Sequence, residues 1–261
     1  MKRLLKVLGA YFKNSVSLDF EYRVDFLFNL LTTIFLVFSA LLVLTVMFAN
    51  ARSLGGWTFP QALGLYGVFL FFEEVAVEIL PGNIGKLPQD VKSGDLDFVL
   101  LKPLDSLFQL SVRRMPLTSL PTLMLSLGIV AYAAAGLGTL TIANTLIFLA
   151  LMLCGLIIIV ALNTILLTTA FWFVRVENIP EIFHAAFTAG RFPVTAFPIW
   201  LRVILTTVVP IAFITTVPAS AAVGRLDPWM ALAAPVVAIA MLAAARTFWG
   251  FALRHYTSAS S

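Results

Sequence analysis

The stretch MPLTSLPTLMLSLGIVAYAAAGLGTLTIANTLIFLALMLCGLIIIVALNTILLTTAFWFV, Met115–Val174, carries no charged side chain. A helix needs about 20 mostly apolar residues to cross about 30 Å of hydrocarbon, so this run is long enough for two or three crossings. Its one strong break is Gly136-Leu137-Gly138-Thr139, two glycines beside a small hydroxyl, which reads as a turn. Two spanning helices are therefore predicted, about Leu117–Ala135 and Ile142–Phe173.

The same character extends in both directions. Upstream, Phe26–Ala51 has no charge, giving a first span. Ser53–Phe72 has none either, and its apolar pattern continues past Glu73, Glu74 and Glu78 to Leu80, giving a second. Downstream, Phe183–Val223 is apolar but interrupted by Arg191, Pro193, Pro198, Arg202, Pro210 and Pro218, and Pro228–Leu253 is a clearer last span with Arg246 near its end. Over all 261 residues, 61% are hydrophobic and 11% charged, where a soluble domain carries about 25% charge. Too few charges remain to coat a water-facing surface, so the chain is read as an all-α polytopic membrane protein. That reading excludes a disordered chain. The net charge of +4 does not indicate nucleic acid, because the basic residues flank apolar runs instead of forming a patch. Cys154 is the only cysteine, which excludes a disulfide scaffold.

Basic residues collect on cytoplasmic loops, and they set the topology. Lys2, Arg3, Lys6, Lys13 and Arg23 precede the first span; Lys86, Lys92, Lys102, Arg113 and Arg114 follow the second; Arg175 and Arg191 follow the fourth. The loop at Arg52 has one basic residue and the Gly136 turn has none. Six spans with both termini cytoplasmic fit this alternation and also place Arg254 and His255 inside. The proline-broken stretch 199–223 is then a partly re-entrant extracellular segment between spans 5 and 6. Residues 1–22 are too charged for a span or a cleavable signal. Leu5, Leu8, Phe12 and Val16 instead form one apolar stripe of a helix lying in the membrane interface, its cations near anionic headgroups.

No motif for chemistry on nucleotides or peptides is present. Gly82-Asn-Ile-Gly-Lys-Leu87 has the wrong spacing for a phosphate loop and lacks the hydroxyl. His184 and His255 are too far apart for a zinc-binding helix motif, and no G-x-S-x-G turn occurs. No cofactor or metal is expected in this chain. Any energised work must draw on another protein or on an ion gradient, although an ion-driven carrier would show an internal repeat or buried charge pair, and neither is visible.

The loop 81–114 is the most informative segment, because loops of that length usually carry structure or function. Gly94 reads as the stop of a short helix near Ile84–Ser93. Leu96, Phe98, Val99, Leu100 and Leu101 then form an apolar cluster closed by Lys102-Pro103, and Leu104–Arg114 is amphipathic. An exposed apolar cluster among mixed charges suits a docking surface. The stretch Lys92-Ser-Gly-Asp-Leu-Asp-Phe-Val-Leu-Leu-Lys-Pro-Leu104 resembles the "sGeLD-x-x-LlkPl" signature of bacterial ABC-2-type transporter permeases, as do Arg191-Phe-Pro193 and the proline-rich Pro210 to Ala219. The likeness spans essentially the whole chain, 1–261, as a single transmembrane domain. It implies a permease subunit, usually of an exporter, in the bacterial inner membrane. It further implies a homo- or heterodimer with a second permease, and a separate cytoplasmic ATPase carrying ATP-Mg and seated on the first cytoplasmic loop. Leu96, Phe98 and Leu101 are the expected docking anchors, with Asp95 and Asp97 steering approach.

Three further sites are candidates. Glu73, Glu74 and Glu78 sit on the inner half of span 2, and intramembrane carboxylates default to a functional reading. With His184 they would form the polar centre of the rival reading, an intramembrane or lipid-modifying enzyme. Arg202 is a candidate extracellular gate, or an interfacial anchor beside Trp200. Cys154 reads as a packed thiol.

Overall fold

The computed structural model describes Gly9 and residues 23–114, 116–172 and 179–256. The interfacial helix expected over 1–22 therefore lies outside the described residues, Gly9 apart. Among the described residues the structure is helical, with one isolated bridge between Leu54 and Trp57.

The uncharged run folds as read. Helix α1 is Arg23–Asn50 and α2 is Phe59–Glu74; the loop that follows holds α3, Leu87–Ser93, α4, Asp95–Leu100, and α5, Ser106–Val112; α6 is Leu120–Gly136 and α7 is Ile142–Thr168. The turn between α6 and α7 uses Gly138 at φ +68°, a conformation open to glycine without a Cβ clash. Thr141 then caps α7 by accepting from the Asn144 N–H at 3.2 Å. The last long helix, Pro228–His255, begins with proline at its first position, and Asp227 accepts from the Trp229 N–H at 2.8 Å.

Two close helix pairs organise the bundle, α2 with α6 and α7 with the Pro228–His255 helix. In lipid no hydrophobic drive brings helices together, so small residues at the contact matter. A Cβ at Gly67 would sit 2.8 Å from Val130 Cγ2 and 2.9 Å from the Ser126 carbonyl oxygen of α6. One at Gly155 of α7 would meet the Phe72 ring at 2.7 Å and the Ile214 carbonyl oxygen at 3.2 Å. These glycines set how near the backbones come. Helix α1 stands apart from this packing. It is tied to the bundle by Thr33 Oγ1 to Thr122 Oγ1 at 3.1 Å and by the Phe48–Phe59 edge contact, while Phe28, Leu31, Phe35, Leu42 and Val46 stay exposed.

The proline-rich third is the irregular part. Helix α8, Ile179–Phe187, continues through 3₁₀ turns at Thr188–Arg191 and Val194–Ala196 into α9, Ile199–Val203, and a π-helical turn at Ile204–Val208. After Pro210 come α10, Ile211–Ile214, and α11, Thr216–Ala222, and the chain bends by 70° at this break. The contacts trace its path. Thr195 Oγ1 donates to the Gly55 carbonyl at 2.7 Å, Ile214 lies at mid-length α7 beside Gly155, and the Ala222 carbonyl accepts from Thr139 Oγ1 at 2.6 Å. The segment thus leaves the Gly55 end of the bundle, reaches its middle and returns to the same end. The Pro228–His255 helix, α12, follows.

Four stretches are long and apolar enough to cross a membrane: Leu30–Asn50, Leu117–Gly136, Ile142–Phe171 and Pro228–His255. Counting the bent pair as one span makes five, against the six expected. Helix α2 falls outside that set because it runs only 16 residues before the helix widens into a π-helical turn at Val75–Ile79.

Candidate functional site

The loop between α2 and α6 is a folded unit. Helix α3 is Leu87–Ser93, α4 is Asp95–Leu100 and α5 is Ser106–Val112. Gly94 ends α3 at φ +80°, where nothing crowds its missing Cβ. Glycine is needed here for backbone conformation, since L side chains rarely adopt that φ. Ser93 Oγ then donates to Asp95 Oδ2 at 2.7 Å, bracing the turn into α4.

Both ends of the loop close on Asn83, which is fully buried. Its Nδ2 donates to the carbonyls of Ile79 and Arg114, each at 2.7 Å, and its Oδ1 accepts from the Arg114 N–H at 2.7 Å. Its own carbonyl accepts from Arg113 Nη2 at 2.6 Å and Nε at 3.2 Å. Arg113 Nη1 continues to Asp90 Oδ2 at 2.8 Å, an ion pair whose side chains are 23% and 11% exposed. One amide side chain therefore pins the start of the loop to its end, and the ion pair fastens α3 to the same point. A second tie joins the loop to the last helix. Asp105 caps α5 through the Phe108 N–H at 2.7 Å and pairs with Arg246 of α12, while Trp249 Nε1 donates to Ser106 Oγ at 3.1 Å.

The expected docking residues divide on this scaffold. Phe98 is 68% exposed and Leu101 79% exposed, next to the exposed Leu100. Leu96 is fully buried by the chain's own side chains, so it holds α4 in place and presents no surface. Asp95 is exposed and Asp97 half-buried.

The three glutamates do not converge. After Glu74 the helix takes a π-helical turn, Val75–Ile79, whose wider i→i+5 ladder shifts the one-turn spacing that would stack Glu74 on Glu78. Glu78 is exposed. Glu74 is buried toward Ser119 and Thr122 at the start of α6. Glu73 is half-buried and its Oε1 lies 2.8 Å from His184 Nε2. The structure thus pairs Glu73 with His184, while Glu78 stays near enough to Glu74 for their charges to interact. Arg202 donates through Nη2 to the Thr195 carbonyl at 2.9 Å, holding the 3₁₀ turn that Thr195 fastens to Gly55. Cys154 is partly buried. No group of three or more His, Cys, Asp or Glu suited to a metal occurs among the described residues.

Asn83, Asp90, Asp105, Arg113, Arg246 and Trp249 were not foreseen from the sequence. The available signal was weak: an asparagine directly after Pro81-Gly82, where a helix must stop, and paired arginines at the loop's far end.

A family model described as "ABC-2 family transporter protein" matches residues 34–260, most of the chain. No match was found among curated proteins or among solved structures.

Proposed function

Because the chain belongs to the ABC-2 family of transporter proteins, as a multi-pass membrane permease subunit of an ABC transporter, we propose that a separate cytoplasmic ATPase drives it through the folded loop 81–114. The observation that carries this reading is the pairing of an exposed apolar patch, Phe98 and Leu101, with a loop clamped at Asn83. Mechanical coupling needs a surface that the partner can grip and a body stiff enough to pass the force on. The clamp supplies the second, so closure of two ATP-Mg-loaded ATPase subunits tilts α2 and α6 directly. The Asp105–Arg246 and Ser106–Trp249 contacts extend the push to α12. Phe98 and Leu101 are the anchors in this scheme, because desolvated apolar side chains dominate such interfaces. Asp95 and Asp97 steer association more than they hold it, and Leu96 supports α4 from within.

The whole chain then acts as one transmembrane domain of six spans, paired with a second permease in the bacterial inner membrane, and works as an exporter. Helix α2 with its π-helical turn is the second span. The climb from His184, beside Glu73, to Thr195, beside Gly55, is the short fifth. The bent segment 199–223 re-enters from outside, and Arg202 gates at its mouth. The basic residues Lys86, Lys92, Lys102, Arg113 and Arg246 gather at the Asn83 end, which the positive-inside bias assigns to the cytoplasm with both termini. Nothing favours the enzyme alternative, since Glu74 is buried toward Ser119 and Thr122 and Glu78 is exposed, and neither joins the Glu73–His184 pair.

Affinity purification from native membranes tests the reading. A soluble subunit with a phosphate-loop ATPase motif should co-purify, and Phe98→Asp should abolish its recovery without loss of the folded permease. A partner-free catalytic activity in detergent, with no ATPase recovered, would overturn it. A reporter after Ser261 that reads as extracellular would overturn the six-span topology.

A further inference from the structure

A cavity of about 350 Å³ lies between α1, α2 and the turn at Arg191-Phe192, walled by Leu36, Val43, Leu44 and Phe69. That volume is within the range of small-ligand sites, about 300–1,000 Å³. Two groups of opposite charge line it, Glu73 and Arg191. Glu73 uses only half of its carboxylate on His184: Oε2 is buried and has no hydrogen-bond partner among the described residues. Arg191 lies over the Phe69 ring at 5.2 Å, and no carboxylate among the described residues pairs with it. A buried carboxylate oxygen without a donor is costly, and Arg191, an exposed residue, has no carboxylate partner among the described residues. A ligand carrying a donor cation and an acceptor anion partners both.

We propose that this cavity binds a zwitterionic amphiphile, its ammonium drawn to the Glu73 carboxylate, its phosphate to the Arg191 guanidinium and its acyl chain along α1. The inference rests on the permease reading only for placing the cavity within the bilayer. The cavity is too small for a whole lipid, so the chains must leave it. The exit is on the α1 side, where Leu36 and Val43 are 57% and 56% exposed. A purely anionic headgroup would leave Glu73 Oε2 facing like charge in a medium of low dielectric, where repulsion is strong. Both signs in one cavity therefore select a headgroup with both signs.

The test is native mass spectrometry of the purified full chain in detergent with three probes: diheptanoyl-phosphatidylethanolamine, diheptanoyl-phosphatidylglycerol and glycerophosphoethanolamine. The ethanolamine lipid should bind at least tenfold more tightly than the glycerol lipid, and the headgroup without chains should not be retained. Arg191→Gln should weaken the ethanolamine lipid at least tenfold, and Glu73→Gln should bring it down to the level of the glycerol lipid. Ala40→Phe, which fills the cavity and leaves both charges, should abolish retention, so the test stands if a charge variant fails to fold. Equal binding of the two lipids by the unaltered chain would overturn the proposal. So would retention of the headgroup alone, or ethanolamine-lipid binding unchanged in Arg191→Gln and Ala40→Phe. Because no ATPase is involved, these outcomes are independent of the pull-down that tests the permease reading.

Discussion

The Asn83 clamp and the Glu73 cavity are both polar regions set against apolar helices, and they differ in how completely their valences are used. At Asn83 the side-chain amide and backbone carbonyl are matched within the chain, and Arg113 and Asp90 complete the circuit. At Glu73 one carboxylate oxygen is matched and the other is not, and Arg191 rests on an aromatic face. A fully satisfied buried network has one low-energy arrangement and behaves as a rigid joint. An unsatisfied one keeps a capacity for something else. On the readings proposed above, the first region transmits force and the second receives a ligand.

The most severe way to break that comparison is Asn83→Ala. It leaves the Ile79 carbonyl and both backbone groups of Arg114 without their partner, and each buried orphan costs about 1–3 kcal/mol. A loss of roughly 3 kcal/mol in the loop's local stability is expected, which raises the open population about a hundredfold. Tryptic cleavage after Lys86 and Lys92 in detergent should accelerate accordingly. Cleavage at the unaltered rate would mean that the clamp does not hold the loop.

Next in size is a contrast within α4 itself. Leu96→Ala removes a fully buried side chain and should destabilise the loop by about 2–3 kcal/mol. Phe98→Ala removes an exposed one, so stability should change by less than about 0.5 kcal/mol while ATPase affinity falls by about 1–2 kcal/mol. Chemical denaturation read beside partner titration separates the two. Equal stability losses at both positions would show that Phe98 is packed, and would remove it from the docking surface.

How far the sequence revealed this architecture depends on which physics was in control. The crossings α1, α6 and α7 follow from charge-free length, α12 from an apolar run that holds Arg246 near its end, and the α6–α7 turn from Gly136 to Thr139, because lipid leaves a backbone little choice except a helix. Gly94 and Lys102-Pro103 also announced the breaks in the loop, since both are local backbone constraints. What stayed hidden depends on tertiary placement. Leu96 and Phe98 are two apolar residues of one short helix, and only packing decides which one faces inward. The π-helical turn after Glu74 upset a spacing argument that assumed regular helix. The Asn83–Arg114, Arg113–Asp90 and Asp105–Arg246 contacts join residues from 23 to 141 positions apart, and no periodicity encodes such pairs. At the Glu73 site, the carboxylate and His184 were both legible as candidates, whereas Arg191 as their companion in one cavity was not.

The smallest expected effect compares two ion pairs that tie the loop down. Arg113–Asp90 joins side chains 23% and 11% exposed, whereas Arg246–Asp105 joins side chains 49% and 46% exposed. Water screens the second pair, and exposed pairs contribute about 0.2–1 kcal/mol. The first pair is largely desolvated and shares Arg113 with the Asn83 carbonyl, so removing one partner leaves a buried charge. Double-mutant cycles with Asp90→Asn and Arg113→Gln, and with Asp105→Asn and Arg246→Gln, isolate each pairwise energy. The cycle also subtracts the cap that Asp105 gives α5 through the Phe108 N–H. Denaturation should give a coupling below about 1 kcal/mol for the Arg246 pair and at least twice that for the Arg113 pair. The Arg246 pair would then act as a guide that keeps α5 in register with α12, with Trp249 and Ser106 beside it, while the load passes through the clamp. Equal couplings would place α12 on the same footing as α2 and α6 in transmitting motion, and the clamp would lose its special standing.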